Sequence, residues 1–256
     1  MTSRPTLLAL TTAATLALAA SLVAALGVPS AAGARVALVL GAWGVFSALV
    51  AYLFLPGFDP IPGRMTRHAP GSSTVALTID DGPHPESTPG ILDALERSRV
   101  RATFFLVGSA VERWPELARR IVAAGHAIGN HTQRHRLLPF RTTGQLADEI
   151  AACQRALAPL APTGIRWFRP PHGFKPIGLH RELRRHHLRL VSWQGALRDT
   201  DAPGVPALVA RAEKLAQPGR ILLLHDNPNC RGQTAAAIPR IVERYRQLGL
   251  EFALLG

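Results

Sequence analysis

Two short segments contain residue types that could carry out chemistry together. The segment T-I-D-D-G-P at residues 78–83 places two adjacent carboxylates at the end of an apolar run, and H-T-Q-R-H at residues 131–135 places two imidazoles four residues apart. One carboxylate and two imidazoles form a three-ligand metal site that leaves positions open for water and substrate. The second carboxylate could then act as a base on that water. The combination indicates a hydrolase.

Short apolar runs alternate with amphipathic helical patterns from Thr74 onward. This alternation predicts a parallel sheet with crossover helices. About seven such units could close into a barrel or remain a doubly wound sheet. The apolar runs are residues 75–79, 102–107, 127–129, 165–168, 188–193, 221–224 and 252–255, and the helical patterns lie near residues 87–98, 110–124, 143–158, 176–186, 204–217 and 234–248.

Polar side chains directly follow four of these apolar runs. In parallel α/β architectures the carboxyl ends of the strands form the rim of the active site. Each cluster alone also has a structural interpretation, because D-D-G-P is an ordinary turn sequence. Their shared position at strand ends favours one common site. The residues are Asp80 and Asp81, His131 and His135, Arg169, and His225 and Asp226.

These motifs together resemble the polysaccharide deacetylase family, also called the NodB-homology domain or carbohydrate esterase family 4, over about residues 74–256. The first segment is similar to the family's T-F-D-D-G-P, and the second matches its H-[ST]-x-x-H. The resemblance implies a distorted (β/α) barrel with fewer than eight repeats. It also implies that Asp80 is the general base and that Asp81, His131 and His135 bind the metal.

Two further motifs complete the implied site. R-P-P-H-G at residues 169–173 looks like the family's R-x-P-[YF]-G, so Arg169 would orient Asp80 and the backbone N–H of His172 would help to bind the oxyanion. L-L-H at residues 223–225 is similar to L-x-H, which makes His225 the general acid. The substrate and oxyanion side of the site is then expected to contain Pro171, His172, Trp193 and Leu223.

The fourth motif departs from the family pattern. Where the family commonly carries D-x-x-D-W shortly after a Trp, this chain has Ala196 and Thr200 in place of the first Asp and the final Trp. Asp199 matches the second Asp, and by resemblance an Asp here tunes the catalytic histidine. His172 also replaces an aromatic side chain. These departures affect substrate and rate more than reaction type.

The resemblance implies a metal-dependent hydrolase that removes an N-acetyl group from amino-sugar units of a glycan, such as peptidoglycan, chitooligosaccharide or an exopolysaccharide. Two histidines and one carboxylate suit Zn²⁺, although Co²⁺, Ni²⁺ or Fe²⁺ would also fit. Two alternatives stay open: a deacylase or deformylase of a lipid-carrier-linked amino sugar, and a non-catalytic glycan-binding domain on a membrane anchor. Retention of both a base and an acid argues against the second, because binding alone needs neither.

The first 56 residues differ sharply from the remainder. Residues 7–26 and 36–55 are almost wholly apolar, and each is long enough to cross a bilayer of ~30 Å as a helix. With a short turn at residues 27–35 between them, they predict a membrane hairpin over residues 1–56, a linker at 57–73 and a catalytic domain at 74–256. The competing interpretation is a signal peptide cleaved at A-G-A, residues 32–34.

Charge and location leave some choices open. The net charge is +12, and all acidic residues and all basic ones except Arg4 and Arg35 follow residue 56. This favours an anionic partner or simply reflects an Arg-rich proteome, and no basic run interleaved with aromatics indicates nucleic-acid binding. We expect a multi-pass protein of the cell membrane with an extracytoplasmic catalytic domain. The positive-inside count weakly favours the cytoplasm instead.

Overall fold

The computed structural model describes residues 30–59, 63, 65–66, 69–71 and 73–255. The chain divides into two compact units, Met1–Pro62 and Gly63–Gly256. In the first unit, helix α1 covers Ser30–Phe54. Its 20-residue segment Arg35–Phe54 contains an 18-residue window with a mean hydropathy of 2.1. By length and composition this one helix could cross a membrane, although signal sequences and buried core helices have the same properties.

The structure describes only part of the predicted membrane hairpin. Its first apolar segment, residues 7–26, lies outside the described residues. The second, residues 36–55, is helical as far as Phe54. The predicted turn at residues 27–35 is wrong from Ser30 onward, because α1 begins there. The alanines in A-A-G-A after Ser30 favour helix strongly enough to extend it.

The second unit is built on a nine-stranded parallel sheet. The strands are β1 Met65–Thr66, β2 Thr74–Asp80, β3 Thr103–Leu106, β4 Ala127–Asn130, β5 Trp167–Phe168, β6 Arg189–Val191, β7 Gly195–Ala196, β8 Ile221–His225 and β9 Glu251–Phe252. Their order in the sheet is β1-β6-β5-β4-β3-β2-β8-β7, and β9 pairs with β2. Each of the seven predicted strands overlaps an observed one, and β1 and β7 are additional.

The sheet curls into a half-barrel. β1 and β7 stand at the two ends of the strand order and do not pair with each other within the described part of the chain. Each is only two residues long. Such short edge strands offer too few backbone groups to continue the ladder into a closed barrel. β1 also corrects the predicted linker, since Met65–Thr66 pairs with β6.

Helices connect the strands as crossovers. The predicted helix at residues 110–124 is two helices, because Pro115 restricts the residue before it and starts a new helix. The helices are α2 Thr88–Ser98, α3 Gly108–Arg113, α4 Pro115–Ala123, α5 Thr143–Leu157, α6 Leu179–Arg185, α7 Val205–Lys214 and α8 Gln233–Gln247.

Strand alternation decides which side chains enter the site. Leu77 and Ile79 of β2 join the large core that also contains the buried faces of the helices. Ala76, two residues before Thr78, belongs to a smaller cluster on the other face with Phe105. Because successive strand side chains point to opposite faces, Asp80 lies on the same face as Ala76 and Thr78. The inner face of the curled sheet therefore carries Asp80.

Candidate active site

Strand register brings the predicted base and acid side by side. Asp80 is the last residue of β2 and His225 is the last residue of β8, and the two are direct partners in the parallel ladder. His131 follows the end of β4, and Arg169 follows the end of β5. All four side chains therefore start from the carboxyl edge of one sheet, as the sequence predicts.

Three side chains next to this pair converge on one point. Oδ1 of Asp81 lies 3.1 Å from Nε2 of His135 and 3.4 Å from Nε2 of His131. All three candidate ligand atoms lie within 4.8 Å of one another. Ligands at ~2.1 Å from a tetrahedral zinc ion are separated by ~3.4 Å. The spacing therefore fits one divalent ion.

The tautomer of His131 supports the same assignment. Its Nδ1 lies 2.7 Å from the carbonyl oxygen of Arg169. A carbonyl can only accept, so Nδ1 carries the hydrogen and donates it. In the neutral ring Nε2 then presents a lone pair to the Asp81 carboxylate, and two acceptors face each other. A cation between them removes this conflict, and a hydrogen bond from the second ring nitrogen to a carbonyl is typical of zinc-binding histidines.

The electrostatics of the cluster follow from its geometry. Burial acts to raise the pKa of Asp81, but its close contacts with His131 and His135 hold that pKa well below its ordinary value. Burial likewise acts to lower the pKa of His135, and the Asp81 carboxylate outweighs it and raises that pKa. The three groups together form a strong pre-arranged binding site for positive charge.

The loop that carries the two histidines is irregular and needs support. Thr132 and His135 have φ angles of 68° and 50°, which non-glycine residues rarely adopt. Asn130 accepts a 2.9 Å hydrogen bond from the Thr132 N–H, and Thr132 Oγ1 accepts one of 3.2 Å from the His135 N–H. Glu149 of α5 accepts a 2.8 Å hydrogen bond from the Arg134 N–H. Side chains thus fix the loop conformation.

Arg169 lies where it can orient Asp80. Its side chain is fully buried. One guanidinium nitrogen donates to Asp80 Oδ1 at 2.7 Å and to Thr78 Oγ1 at 2.8 Å. Its Cζ lies 4.1 Å from the ring centroid of Phe105. Burial lowers the pKa of Arg169, and the adjacent Asp80 carboxylate opposes that shift. The other oxygen of Asp80 lies 3.7 Å from His131 Nε2, beside the metal cluster.

Asp199 contacts His225 at both its ring Nδ1 and its backbone N–H. Its carboxylate lies 2.8 Å from His225 Nδ1 and accepts a second 2.8 Å hydrogen bond from the His225 backbone N–H. Thr234 donates a third, at 2.6 Å. Burial acts to lower the pKa of His225, but the Asp199 hydrogen bond and charge outweigh it and raise that pKa to about 9. Ala196, at the motif's missing Asp, lies on β7 beside Leu223.

The four residues predicted to contact the substrate or the oxyanion differ in how exposed they are. His172 is exposed, has a φ of 57°, and its ring lies edge-on to that of His135 with centroids 5.0 Å apart. Trp193 is partly buried, 5.4 Å from the Arg169 guanidinium. Pro171 is buried. Leu223 is only 4% exposed, so little of its surface can contact a substrate.

Asn227 at this edge was missing from the predicted site, and Asp226 was predicted to lie at the shared strand edge but was given no role there. Asn227 donates to Oδ2 of Asp81 at 2.8 Å. Asp226 is buried and accepts hydrogen bonds from the hydroxyls of Ser87 and Thr88 at 2.5 and 2.6 Å. Burial raises the pKa of Asp226 to about 6 despite these bonds. Their position directly after His225 was the one sequence signal available.

Comparison with known proteins agrees with this arrangement. A family model described as polysaccharide deacetylase matches residues 67–191. A chitooligosaccharide deacetylase of Bradyrhizobium sp. is 35% identical over 193 residues, covering 71% of this chain and 88% of the relative. A peptidoglycan-N-acetylglucosamine deacetylase of Bacillus cereus is 34% identical over 197 residues, covering 76% and 92%. The crystal structure of the Bc1960 peptidoglycan N-acetylglucosamine deacetylase superposes with a TM-score of 0.72 at 29% identity, over 75% of this chain and 91% of that one. The chain therefore belongs to the polysaccharide deacetylase family.

Proposed function

We propose that the protein is a metal-dependent N-deacetylase that removes the N-acetyl group from amino-sugar units of a glycan. The observation that carries this proposal is a buried carboxylate, Asp80, and an imidazole, His225, on paired strands next to a three-ligand cluster. The names of the similar proteins indicate peptidoglycan and chitooligosaccharide as substrate classes. A binding module needs no such acid–base pair.

The cluster would hold the metal through Asp81, His131 and His135, and zinc is our first choice for that donor set. A divalent ion there would polarise the acyl oxygen and make water more acidic. Asp80 accepts the proton of the attacking water through the carboxylate oxygen that Arg169 leaves free. The two carboxylates therefore divide the work between binding and proton transfer.

The acid step belongs to His225. With a pKa raised to about 9, its ring carries a proton at neutral pH. It donates this proton to the amine nitrogen as the bond to the acyl carbon breaks. Asp199 remains bound to Nδ1, so the ring keeps its orientation while the charge changes. We assign the oxyanion contact to the His172 backbone N–H, a contact of a kind worth about 3 kcal/mol in related sites.

Acetate release tests the activity directly. The full-length protein in detergent, supplied with zinc, is incubated with N-acetylated chitooligosaccharide and with peptidoglycan. We expect acetate from at least one of them, released about 10²–10⁴-fold more slowly by the Asp80→Asn variant. A zinc-loaded wild-type protein that binds these glycans and releases no acetate would instead support the non-catalytic glycan-binding alternative.

We also propose that residues 1–56 attach the protein to the cell membrane, with the catalytic domain on the outer side. The length and hydropathy of Arg35–Phe54 support attachment, and an external peptidoglycan substrate would require that side. A topology reporter fused after Gly256 tests the orientation. A cytoplasmic signal would favour a lipid-carrier-linked amino sugar as the substrate.

A further inference from the structure

The two oxygens of the Asp81 carboxylate have different neighbours. Oδ1 faces the ring nitrogens of His131 and His135. Oδ2 accepts a 2.8 Å hydrogen bond from Nδ2 of Asn227. We infer that Asn227 is a positioning residue for the metal site: it holds Oδ2 so that Oδ1 of Asp81 stays turned toward His131 and His135, the residues that would hold the ion with it. This inference rests on the metal site of the proposed function.

The orientation of the Asn227 amide is determined by its other contact. Its Oδ1 accepts a 3.0 Å hydrogen bond from the backbone N–H of Asn229, at the start of a short 3₁₀ helix, Pro228–Cys230. The Asn229 N–H needs an acceptor, and the amide oxygen is the only acceptor of an Asn side chain. The amide nitrogen must therefore be the atom that faces Asp81. Both ends of the Asn227 side chain are in use.

The segment before Asn227 is anchored to the same strand end. The Asp226 N–H donates to the Asp80 carbonyl at 2.7 Å. The buried Asp226 carboxylate accepts hydrogen bonds from Ser87 and Thr88. The distance from Asn227 to the end of β2 is thus set by contacts on the preceding residue, and the amide can act as a fixed donor.

Asp81 needs such a donor more than Asp80 does. Asp80 ends a regular strand and is fixed by Arg169. Asp81 lies one residue beyond the strand with a φ of 80°, and its side chain is 20% exposed. Without Asn227, rotation of the carboxylate would exchange its oxygens or turn it toward solvent. Loss of a hydrogen-bond partner behind a metal ligand typically costs 10–100-fold in metal affinity.

The test is the zinc dissociation constant of the full-length protein, measured by competition with a chromophoric chelator at neutral pH. Asn227→Ala removes the donor to Asp81 and the acceptor for the Asn229 N–H and the Cys230 thiol. Asn227→Asp keeps the acceptor for the Asn229 N–H and removes the donor to Asp81. Asn229→Ala is the matched control, because Asn229 is exposed and its contact uses the backbone N–H. The visible spectrum of the Co²⁺-loaded protein is recorded for every variant.

We expect zinc binding to weaken by roughly 10–100-fold in both Asn227 variants, with a changed Co²⁺ spectrum. Asn229→Ala should match the wild type. Wild-type zinc affinity in both Asn227 variants would overturn the inference. A loss of zinc affinity in Asn227→Ala alone would overturn it too, because Asn227 would then act only by accepting the Asn229 N–H in the turn. If the wild-type protein bound no divalent ion, the proposed metal site itself would be wrong. The test therefore distinguishes failure of the proposed function from failure of the positioning role of Asn227.

Discussion

The proton-transfer pair and the metal cluster share one edge of the sheet but are held in different ways. Asp80 and His225 are the last residues of two paired strands, so regular β geometry places them. Asp81 and His135 lie outside the strands with φ angles of 80° and 50°. Side-chain hydrogen bonds, including those of Asn130 and Asn227, hold these segments in place.

The two regions also differ in the conformational energy of their backbone. A non-glycine residue at positive φ costs on the order of 1–3 kcal/mol and persists only where its surroundings over-determine it. The metal segments contain three such residues, Asp81, Thr132 and His135. The proton-transfer pair itself, Asp80 and His225, instead lies on regular strand backbone, although Asp199, which binds His225, directly follows a residue at positive φ, Arg198. We therefore expect substitutions on the two sides to change different measurable properties.

The largest expected effect separates the neighbouring aspartates. Asp80→Asn keeps the shape of the side chain but cannot accept a proton, so the deacetylation rate should fall by about 10²–10⁴-fold with the metal content unchanged. Asp81→Asn removes a charged ligand, so metal and activity should be lost together. Metal stoichiometry and rate are measured on both variants. Metal loss in Asp80→Asn with retention in Asp81→Asn would reverse the assignment.

The second effect tests the buried ion pair. Arg169→Met leaves the Asp80 carboxylate buried without its partner, and such a loss costs about 3–5 kcal/mol. Urea unfolding of the detergent-solubilised protein measures the change in unfolding free energy. Arg134→Ala is the control, since Arg134 is 59% exposed and its 3.4 Å contact with Glu149 should contribute little. Equal losses in the two variants would argue against a special role for the buried pair.

The third prediction concerns pH. Asp199 raises the pKa of His225 to about 9, so the stabilisation from this pair is complete below the unfolded value near 6.5 and is lost as the pH rises through about 9. Asp199→Asn should move the alkaline limb of the activity profile down by roughly 1–3 pH units. Asp201→Asn, a half-exposed neighbour paired with Arg198, is the control. If the alkaline limb of the pH–activity profile did not move in Asp199→Asn, His225 would not be the general acid.

The smallest effect lies in the helix that supports the metal loop. Thr142 caps the N-terminus of α5: its hydroxyl accepts a hydrogen bond from the Gln145 N–H, and the Gln145 side chain accepts one from the Thr142 N–H. Thr142→Ala should lower the unfolding free energy by about 1 kcal/mol. Thr143→Ala, in the first helical turn, should change it less. A loss of zinc affinity as large as that expected for Asn227→Ala would mean that the loop depends on the whole helix rather than on Asn130 and Glu149.

Sequence patterns were most informative where a contact is local or follows from strand geometry. The apolar run ending at Asp80 and the run ending at His225 were enough to predict one shared edge. The half-barrel was harder to foresee, because β1 and β7 are two residues long and resemble linker or loop in sequence. The supports of the metal loop, such as Glu149, lie on elements that give no local signal of the contact.

The sequence by itself determined the chemical groups, their assignment to strand ends and the family they resemble, because residue type and hydrophobic period are properties of the chain. The tertiary structure decided which oxygen of Asp81 faces the histidines and that Asp199 contacts His225 through both of its carboxylate oxygens. It also decided that Asn227, 146 residues from Asp81 along the chain, donates to it. Such pairings arise from packing of distant strand ends, which no short sequence window contains.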